Sequence, residues 1–417
     1  VRPPGHDGET RMSTEHRAAN TTHLAPENED HLVAEDVDVE PTEPNRRLFD
    51  GWRLTVVASF ATLYAIFHIA ALNGLSISAL TGVSIPFLPQ FPMETWNFRI
   101  VHVAGALALG FLLFAAYDFR GADRRERPLL SWLSLALLLP AGFALGVAIW
   151  FGALIDGGAM WNGMDPTIRF REVWLFGLPL LLATAGGIGL SWAQYRRRDR
   201  FAEADAVLGV CAVSVAVYLV TIFGTSMRMS TGSDFAPIGI SFAATAGVAL
   251  IMELTRRMAG LALVIIAGLF LAYVFLGHTM PGFLNAPPFS WQRFFSQVYT
   301  DAGILGPTTA VSSTYIILFI IFAAFLQASK VGDYFVNFAF AAAGRARGGP
   351  AKVSIFASGL MGMINGTSAG NVVATGSLTI PLMKKVGYPR KTAGAVEAAA
   401  STGGQIMPPI MGAGAFI

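Results

Sequence analysis

The chain has 417 residues, of which 53% are apolar and only 13% are charged, with a formal net charge of +2. Soluble domains carry about 25% charged residues, so this composition excludes an assembly of ordinary soluble domains. The small net charge, without a basic stripe, gives no support to a nucleic-acid partner. The single cysteine, Cys211, lies in an apolar block, which excludes a disulfide framework and a thiolate metal site.

The first 50 residues form a polar segment rich in Asp, Glu, Asn, Thr and Pro. Such a composition buries too little apolar surface to fold alone, so we expect a disordered tail over residues 1–50. It lacks the basic start and apolar stretch of a signal peptide. The segment holds four histidines without the tight spacing of metal ligands, which are His6, His16, His23 and His31.

Eight apolar blocks follow, and each approaches the roughly 20 residues that span a bilayer. They cover residues 54–72, 100–117, 129–151, 173–193, 206–224, 237–252, 259–276 and 310–327. The loops after the second, fourth and sixth blocks are basic, whereas those after the first, fifth and seventh nearly lack Lys and Arg. The positive-inside rule therefore predicts a multi-pass membrane protein with a cytoplasmic N-terminus.

The charge alternation stops after the eighth block. The segment up to Lys352 is basic, residues 353–383 are apolar, and Lys384 and Lys385 begin a second basic segment. One crossing would place these cations on the wrong side, and two crossings need about 40 residues plus a turn. The sequence therefore predicts a re-entrant hairpin that enters and leaves at the cytoplasmic face.

The tip of this hairpin is predicted at 362–371, where Gly, Ser, Thr and Asn favour a turn. Poorly paired backbone at membrane depth is tolerated only inside protein or along a cavity, so the tip should line a path for a solute or ion. The candidate ligands are Asn365, Gly366, Thr367, Ser368 and Asn371.

A second break is predicted in the apolar segment that begins at Thr392. Gly403, Gly404 and Gln405 precede Pro408 and Pro409, and this combination should unwind a helix. Secondary transporters hold Na⁺ and anionic substrates at such unwound segments. We therefore add Gly403, Gly404, Gln405 and Pro408 to the candidate site, with Asn365, Ser368 and Gly404 as candidate Na⁺ ligands.

Three ionisable side chains lie inside apolar segments. Glu397 is a candidate for proton coupling, since intramembrane carboxylates are costly and usually functional or paired. The alternative is a contact with Lys391 or Arg390 near the end of the segment. For His68 and His102 we favour hydrogen bonds between helices over a role in transport.

Two unusual strings, NVVATGSLTIPLMKK and EAAASTGGQIMPPIMG, stand in the last part of the chain. Here the sequence resembles the large membrane subunit of TRAP transporters, closest to the branch served by TAXI-type periplasmic binding proteins. The resemblance covers roughly residues 235–417 and matches the first hairpin and the broken helix that follows it. Asn365 and Gly370 depart from the Ser and Ala of many relatives.

The resemblance implies an all-α polytopic fold with about nine transmembrane helices, a re-entrant hairpin and an elevator-type mechanism. Residues 51–200 would form a four-helix domain like the small subunit, fused ahead of the large one. Residues 201–352 would supply a linker and scaffold helices. Residues 353–417 would form part of the transport domain, and we expect the chain to be a fragment that lacks the second hairpin.

In function, the resemblance implies a symporter of the bacterial inner membrane rather than an enzyme. It would import a small organic acid with Na⁺ or H⁺, need no other cofactor, and receive its substrate from a TAXI-type periplasmic binding protein. Arg228, Arg293 and Asp301 lie in loops predicted on the outside, where solvated charges are favoured over contacts with that partner.

Two other classes of function remain open. Re-entrant loops also form the filters of channels. Residues 366–370 match the G-x-S-x-G pattern of serine hydrolases, but that motif needs a strand before it and a base nearby. No histidine follows Ser368, and His278 is predicted outside. A hydrolase is therefore the least favoured interpretation.

Overall fold

A computed structural model of the protein describes residues 45–75, 93–119, 126–366, 368–408 and 411. Residues 1–44 of the predicted tail and the candidate ligand Thr367 lie outside the described residues, as does the side chain of Asn365. Within the described part the regular structure is helical, apart from one isolated bridge between Arg46 and Phe114. This confirms the all-α class.

Eight of the described helices are long and apolar enough to cross a membrane, and they correspond one to one with the eight predicted blocks. The short block 237–252 extends to Ala259, because the polar residues after it continue the helix. The helices are α1 (Trp52–Asn73), α2 (Thr95–Leu113), α3 (Pro128–Asp156), α4 (Pro166–Ala193), α5 (Glu203–Phe223), α6 (Ile238–Ala259) and α7 (Leu261–Leu276), then, after the short α8 (Trp291–Val298), α9 (Pro307–Leu326).

Local signals set several helix ends. Proline occupies the first position of α3, α4 and α9, where its missing N–H group costs nothing. At α4 the Asp165 side chain also accepts a hydrogen bond from the Thr167 N–H at 2.8 Å. Gly260, with φ 82° and ψ −175°, is the single residue between α6 and α7. Glycine alone adopts this conformation readily, and it folds α7 back along α6.

Helix α5 lies at the centre of the first bundle, packed against α2, α3, α4 and α6. The buried share of its most apolar window is 61%, whereas that of α7 is 6%, so α7 presents an apolar surface to its surroundings on nearly all sides. One continuous apolar core runs from Ile100 in α2 to Leu305 before α9. This core contains residues from both sides of residue 200. The predicted boundary there, between a domain like the small subunit and the helices that follow, stays a prediction.

A buried carboxylate joins three parts of this bundle. Glu172 is the second residue of a π-helical turn, Arg171–Gly177, within α4. Its Oε1 atom accepts hydrogen bonds from Trp161 Nε1 at 2.8 Å and from Tyr218 Oη of α5 at 2.7 Å. Its Oε2 atom accepts the Gly239 N–H at the start of α6, at 3.1 Å. These three donors offset much of the cost of burying the carboxylate.

The packed part of the chain begins before the predicted end of the tail at residue 50. Phe49 is buried, and the Arg47 guanidinium is buried in an ion pair with Asp205 at the start of α5. The same carboxylate also pairs with Arg257 of α6 at 2.8 Å. Arg47 further donates to the Phe111 carbonyl at the end of α2, at 2.8 Å. Residues 45–50 are therefore tied to the bundle by charge as well as by packing.

The remaining helices form a second packed region. They are α10 (Val331–Ala343), α11 (Gly349–Asn365), α12 (Ser368–Lys385) and α13 (Arg390–Thr402). A separate apolar cluster joins α10 to α11 through residues such as Val336 and Val353. The contacts between this region and the first bundle run mainly through α9, which touches α1 and α2.

Candidate functional site

Helices α11 and α12 form an antiparallel hairpin that closes at Gly366. Gly366 caps α11 in the left-handed region, with φ 61°, and its N–H bonds the Gly362 carbonyl at 3.2 Å. Other residues rarely adopt this conformation. At the open end, a Cβ atom on Gly348 would lie 3.5 Å from the Tyr388 hydroxyl, so the two ends of the hairpin lie side by side.

The hairpin is longer than the apolar stretch from which it was predicted. Its legs contain 17 and 18 residues. A helix rises 1.5 Å per residue, so each leg measures about 26 Å. The apolar layer of a bilayer is about 30 Å thick, and the legs therefore fall slightly short of it. The position of the tip within the membrane stays a prediction.

Helix α13 ends where the sequence predicted a break. The α-helix stops at Thr402, and residues Gly403–Gln405 form a single 3₁₀ turn. The N–H group of Met407 bonds the Gly403 carbonyl at 3.1 Å, and the chain then leaves the helical path. Pro408 lies beyond this turn and is exposed.

The broken end of α13 meets the hairpin near its tip. A Cβ atom on Gly362 would lie 2.7 Å from the Gly404 Cα atom, so α11 and the 3₁₀ turn approach each other backbone to backbone. The Gln405 Nε2 atom donates to Ser368 Oγ at 3.1 Å. Gly403, in contrast, has open space around its Cβ direction. Four of the predicted site residues, Gly366, Ser368, Gly404 and Gln405, are thus brought together.

Asn371 lies at the same junction and is fully buried. Its Nδ2 atom donates to the Ser358 carbonyl at 2.8 Å and stands near Gly362. This bond fixes which end of the amide is the nitrogen. The Oδ1 atom is buried and has no hydrogen-bond partner among the described residues. An unpaired buried acceptor is costly, and a cation or a donor group of a ligand would satisfy it.

Glu397 lies deeper between the three helices, and five hydroxyl groups surround its fully buried carboxylate. Ser354 donates to Oε2 at 2.6 Å, and Thr379 donates to the same oxygen. Oε1 accepts from Ser401 at 3.2 Å. The same oxygen also accepts from Ser358, at 3.3 Å, and from Thr375. A carboxylate offers about four lone-pair sites, so this ring saturates its accepting capacity.

The alternative contact proposed for Glu397 is wrong. Arg390 and Lys391 are exposed at the start of α13, and the ion pairs found in the described part of the chain do not include Glu397. The helix begins at Arg390 and carries both cations at its first turn, whereas Glu397 lies two turns further on. The carboxylate is therefore stabilised by hydroxyl dipoles.

These five hydroxyls are not among the site residues predicted from the sequence. A signal was present, because Ser354 and Ser358, Thr375 and Thr379, and Glu397 and Ser401 are each four residues apart. Side chains at this spacing lie on the same face of a helix. Which of the polar faces point at one another depends on the packing of the three helices, and a hydropathy pattern does not give that packing.

The flanks of Ser368 bear on the hydrolase alternative. A nucleophile elbow has a strand before the serine and a helix after it. Ser368 instead follows helix α11 and begins helix α12. Its hydroxyl accepts a hydrogen bond from Gln405, where a catalytic serine would face a base.

Comparison with known proteins identifies the C-terminal segment. Residues 246–417 match the family model described as "Tripartite ATP-independent periplasmic transporter, DctM component". This segment contains α9, the hairpin and the broken helix, so the chain carries a DctM family domain there. DctM domains are permeases, and the comparisons give no support to an enzyme. No solved structure matches the chain.

Three curated relatives carry the name "C4-dicarboxylate TRAP transporter large permease protein DctM". The protein from Rhodobacter capsulatus is 28% identical over 148 residues, which cover 35% of this chain and 34% of that protein. Those from Vibrio cholerae and Pseudomonas aeruginosa are 36% and 33% identical over 91 residues, which cover 20% and 21% of their lengths. The chain thus spans between a fifth and about a third of the curated relatives it matches.

Proposed function

We propose that this chain is the membrane component of a TRAP-type secondary transporter that imports a small organic acid with Na⁺ or H⁺. The observation that carries the proposal is the junction between the hairpin tip and the broken end of α13. It combines a helix break, a tight backbone approach at Gly362 and Gly404, and the Oδ1 atom of Asn371, which has no hydrogen-bond partner within the described part of the chain. Carriers hold ions and anionic substrates at broken helices of this kind.

The relatives and the chemistry of the site support the proposed substrate class. The curated relatives are named for C4-dicarboxylates, so a small carboxylate or dicarboxylate is the first candidate. The N-terminus of α12 begins beside the tip, and helix N-termini favour anions. Residues 51–200 would act as the fused small subunit, and a TAXI-type periplasmic binding protein would deliver the substrate.

Two places could receive the coupling ion. Near the tip, the Oδ1 atom of Asn371 would be one Na⁺ ligand, together with carbonyl groups of the broken turn and the predicted ligands Asn365, Ser368 and Gly404. Between the helices, Glu397 is the one carboxylate among the described residues of α11–α13 that is fully buried. It would bind a proton there. The re-entrant hairpin, with its two ends at the cytoplasmic face, would move with the bound ion in an elevator-type step.

The test is uptake by the protein that contains this chain, reconstituted in liposomes. We expect accumulation of a labelled C4-dicarboxylate only with the binding protein outside and with an imposed Na⁺ or H⁺ gradient. Accumulation without either, or single-channel currents carried by the same protein, would contradict the proposal, and the currents would support a channel. Serine-reactive probes should not label Ser368.

A further inference from the structure

A chain of hydrogen bonds connects α1, α2 and α9 inside their apolar part. In α1 the Nδ1 atom of His68 lies 2.8 Å from the Tyr64 carbonyl oxygen. The Nε2 atom of His68 lies 2.9 Å from the Nδ1 atom of His102 in α2. The Nε2 atom of His102 lies 3.1 Å from the hydroxyl of Ser312 in α9. The Tyr64 hydroxyl donates to the His102 carbonyl at 2.7 Å.

The chemistry of these groups indicates which atom donates and which accepts in each hydrogen bond. A carbonyl can only accept, so the Nδ1 atom of His68 carries a proton and its Nε2 atom accepts when the ring is neutral. His102 then donates from Nδ1, which lies 2.9 Å from His68 Nε2 and also 3.0 Å from the Tyr64 hydroxyl oxygen. Its Nε2 atom is left to accept from the Ser312 hydroxyl. All of these contacts are satisfied together when both histidines are neutral with the proton on Nδ1.

The contacts around these hydrogen bonds show which helices they hold together. Of the 22 residues of α1, the buried ones are Val57 and His68, so this histidine is a main anchor of the helix. The Tyr64 ring occupies the space where a side chain on Gly105 of α2 would stand, since a Cβ atom there would lie 2.3 Å from the Tyr64 Cε2 atom. Ser312 begins the π-helical turn Ser312–Ile316 of α9. Such turns occur often at functional sites.

We infer that Tyr64, His68, His102 and Ser312 are positioning residues that lock α9 against α1 and α2. Helix α9 carries the main contacts between the first bundle and the region of the hairpin. Ser312 belongs to the segment that matches the DctM model, whereas α1 and α2 precede that segment. The N-terminal helices thus set the position of the permease segment through a polar bond network within the membrane.

The bond network itself is tested without transport. The protein is labelled with ¹⁵N in its seven histidines, placed in lipid nanodiscs and examined by NMR, with His68→Gln and His102→Gln to assign the two rings. We expect both rings to be neutral and protonated at Nδ1. Ser312→Ala should shift the Nε2 resonance of His102, and Ser312→Thr should retain it. A ring that is protonated at Nε2, or a His102 resonance unchanged by Ser312→Ala, would overturn the inference.

The effect on transport rests on the proposed function. Ser312→Ala should lower the maximal uptake rate about fivefold, the factor that one ordinary hydrogen bond represents, without changing the substrate concentration that gives half of that rate. Ser312→Thr should restore it. The matched control is Ser313→Ala, because the buried Ser313 hydroxyl bonds the Ala310 carbonyl of its own helix at 3.1 Å. Wild-type protein without uptake would refute the proposed function and leave the NMR result standing. Normal uptake by Ser312→Ala would overturn the positioning role.

Discussion

Gly362 and Gly404 lie so close together that a methyl group on Gly362 would stand 2.7 Å from the Gly404 Cα atom. The contact is between backbones, so it cannot be relieved by a rotation of a side chain. It brings helix α11 against the first turn after the end of α13. The two halves of the candidate site can therefore approach this closely because both positions are glycines.

This contact predicts the effect of one added methyl group. Gly362→Ala should separate α11 from the 3₁₀ turn and abolish uptake, at a cost of about 1–3 kcal/mol in the free energy of unfolding, the usual cost of overpacking. Gly394→Ala in α13 is the matched control, because the space around its Cβ direction is open. Thermal unfolding in detergent and uptake in liposomes measure the two effects. Equal behaviour of the two variants would contradict the close approach.

The hydroxyl ring around Glu397 makes a prediction about stability. Thr375→Val keeps the shape of the side chain and removes one donor from the buried carboxylate, which should cost about 1.5–3 kcal/mol. Thr402→Val is the control, because the exposed Thr402 hydroxyl bonds the Ala398 carbonyl of its own helix at 3.0 Å. The midpoint of thermal unfolding should fall for the first variant and stay near the wild-type value for the second. The reverse order would exclude a stabilising ring.

The two candidate ion sites can be separated by paired variants. Glu397→Gln removes the carboxyl group that the five hydroxyls surround. Asn371→Leu removes the side-chain oxygen near the tip that lacks a partner among the residues the structure describes. If H⁺ drives transport, uptake under a pure H⁺ gradient should be abolished by Glu397→Gln. If Na⁺ drives it, uptake under a pure Na⁺ gradient should be abolished by Asn371→Leu. Wild-type uptake by both variants under both gradients would exclude both sites.

The buried carboxylate of the first bundle gives an independent prediction. Tyr218→Phe removes one of the three donors to Glu172, so the bundle should lose about 1.5–3 kcal/mol of stability. Tyr334→Phe, at an exposed tyrosine of α10, is the control and should have no measurable effect. Chemical unfolding followed by tryptophan fluorescence is suited to this test, because Trp161 donates to the same carboxylate. No difference between the variants would argue against a stabilising role for Glu172.

Much of the fold could be predicted because the apolar blocks and the charged loops are local patterns that can be read directly from the sequence. Each apolar block became a membrane-length helix, and the break at Gly403–Gln405 and the turn at Gly366 lie where Gly and Pro indicated them. The ring around Glu397 could not be predicted in the same way. It joins faces of three helices, and their mutual orientation comes from close approaches such as that of Gly362 to Gly404.

The same reason explains two further differences. Arg47 belongs to a segment that is polar in sequence. It is nevertheless buried, because it forms an ion pair with Asp205 and donates a hydrogen bond to the Phe111 carbonyl at the end of α2. His68 and His102 were expected to bond between helices, and their partner Ser312 lies more than 200 positions further along the chain. No local pattern connects residues so far apart. Long-range pairs of this kind follow from tertiary structure alone.

The depth of the hairpin tip tests the central claim most directly. In a Cys211→Ser background, cysteine is introduced singly by Lys352→Cys, Lys384→Cys and Ser368→Cys, with Met229→Cys as an exposed loop control. Right-side-out vesicles are treated with a membrane-impermeant thiol reagent before and after permeabilisation. We expect cysteines at positions 352 and 384 to react only after permeabilisation, and a cysteine at position 229 to react in intact vesicles. In intact vesicles, the cysteine at position 368 should react more slowly than the one at position 229. If Ser368→Cys reacted from outside as fast as Met229→Cys, the hairpin would cross the whole membrane and would not be re-entrant.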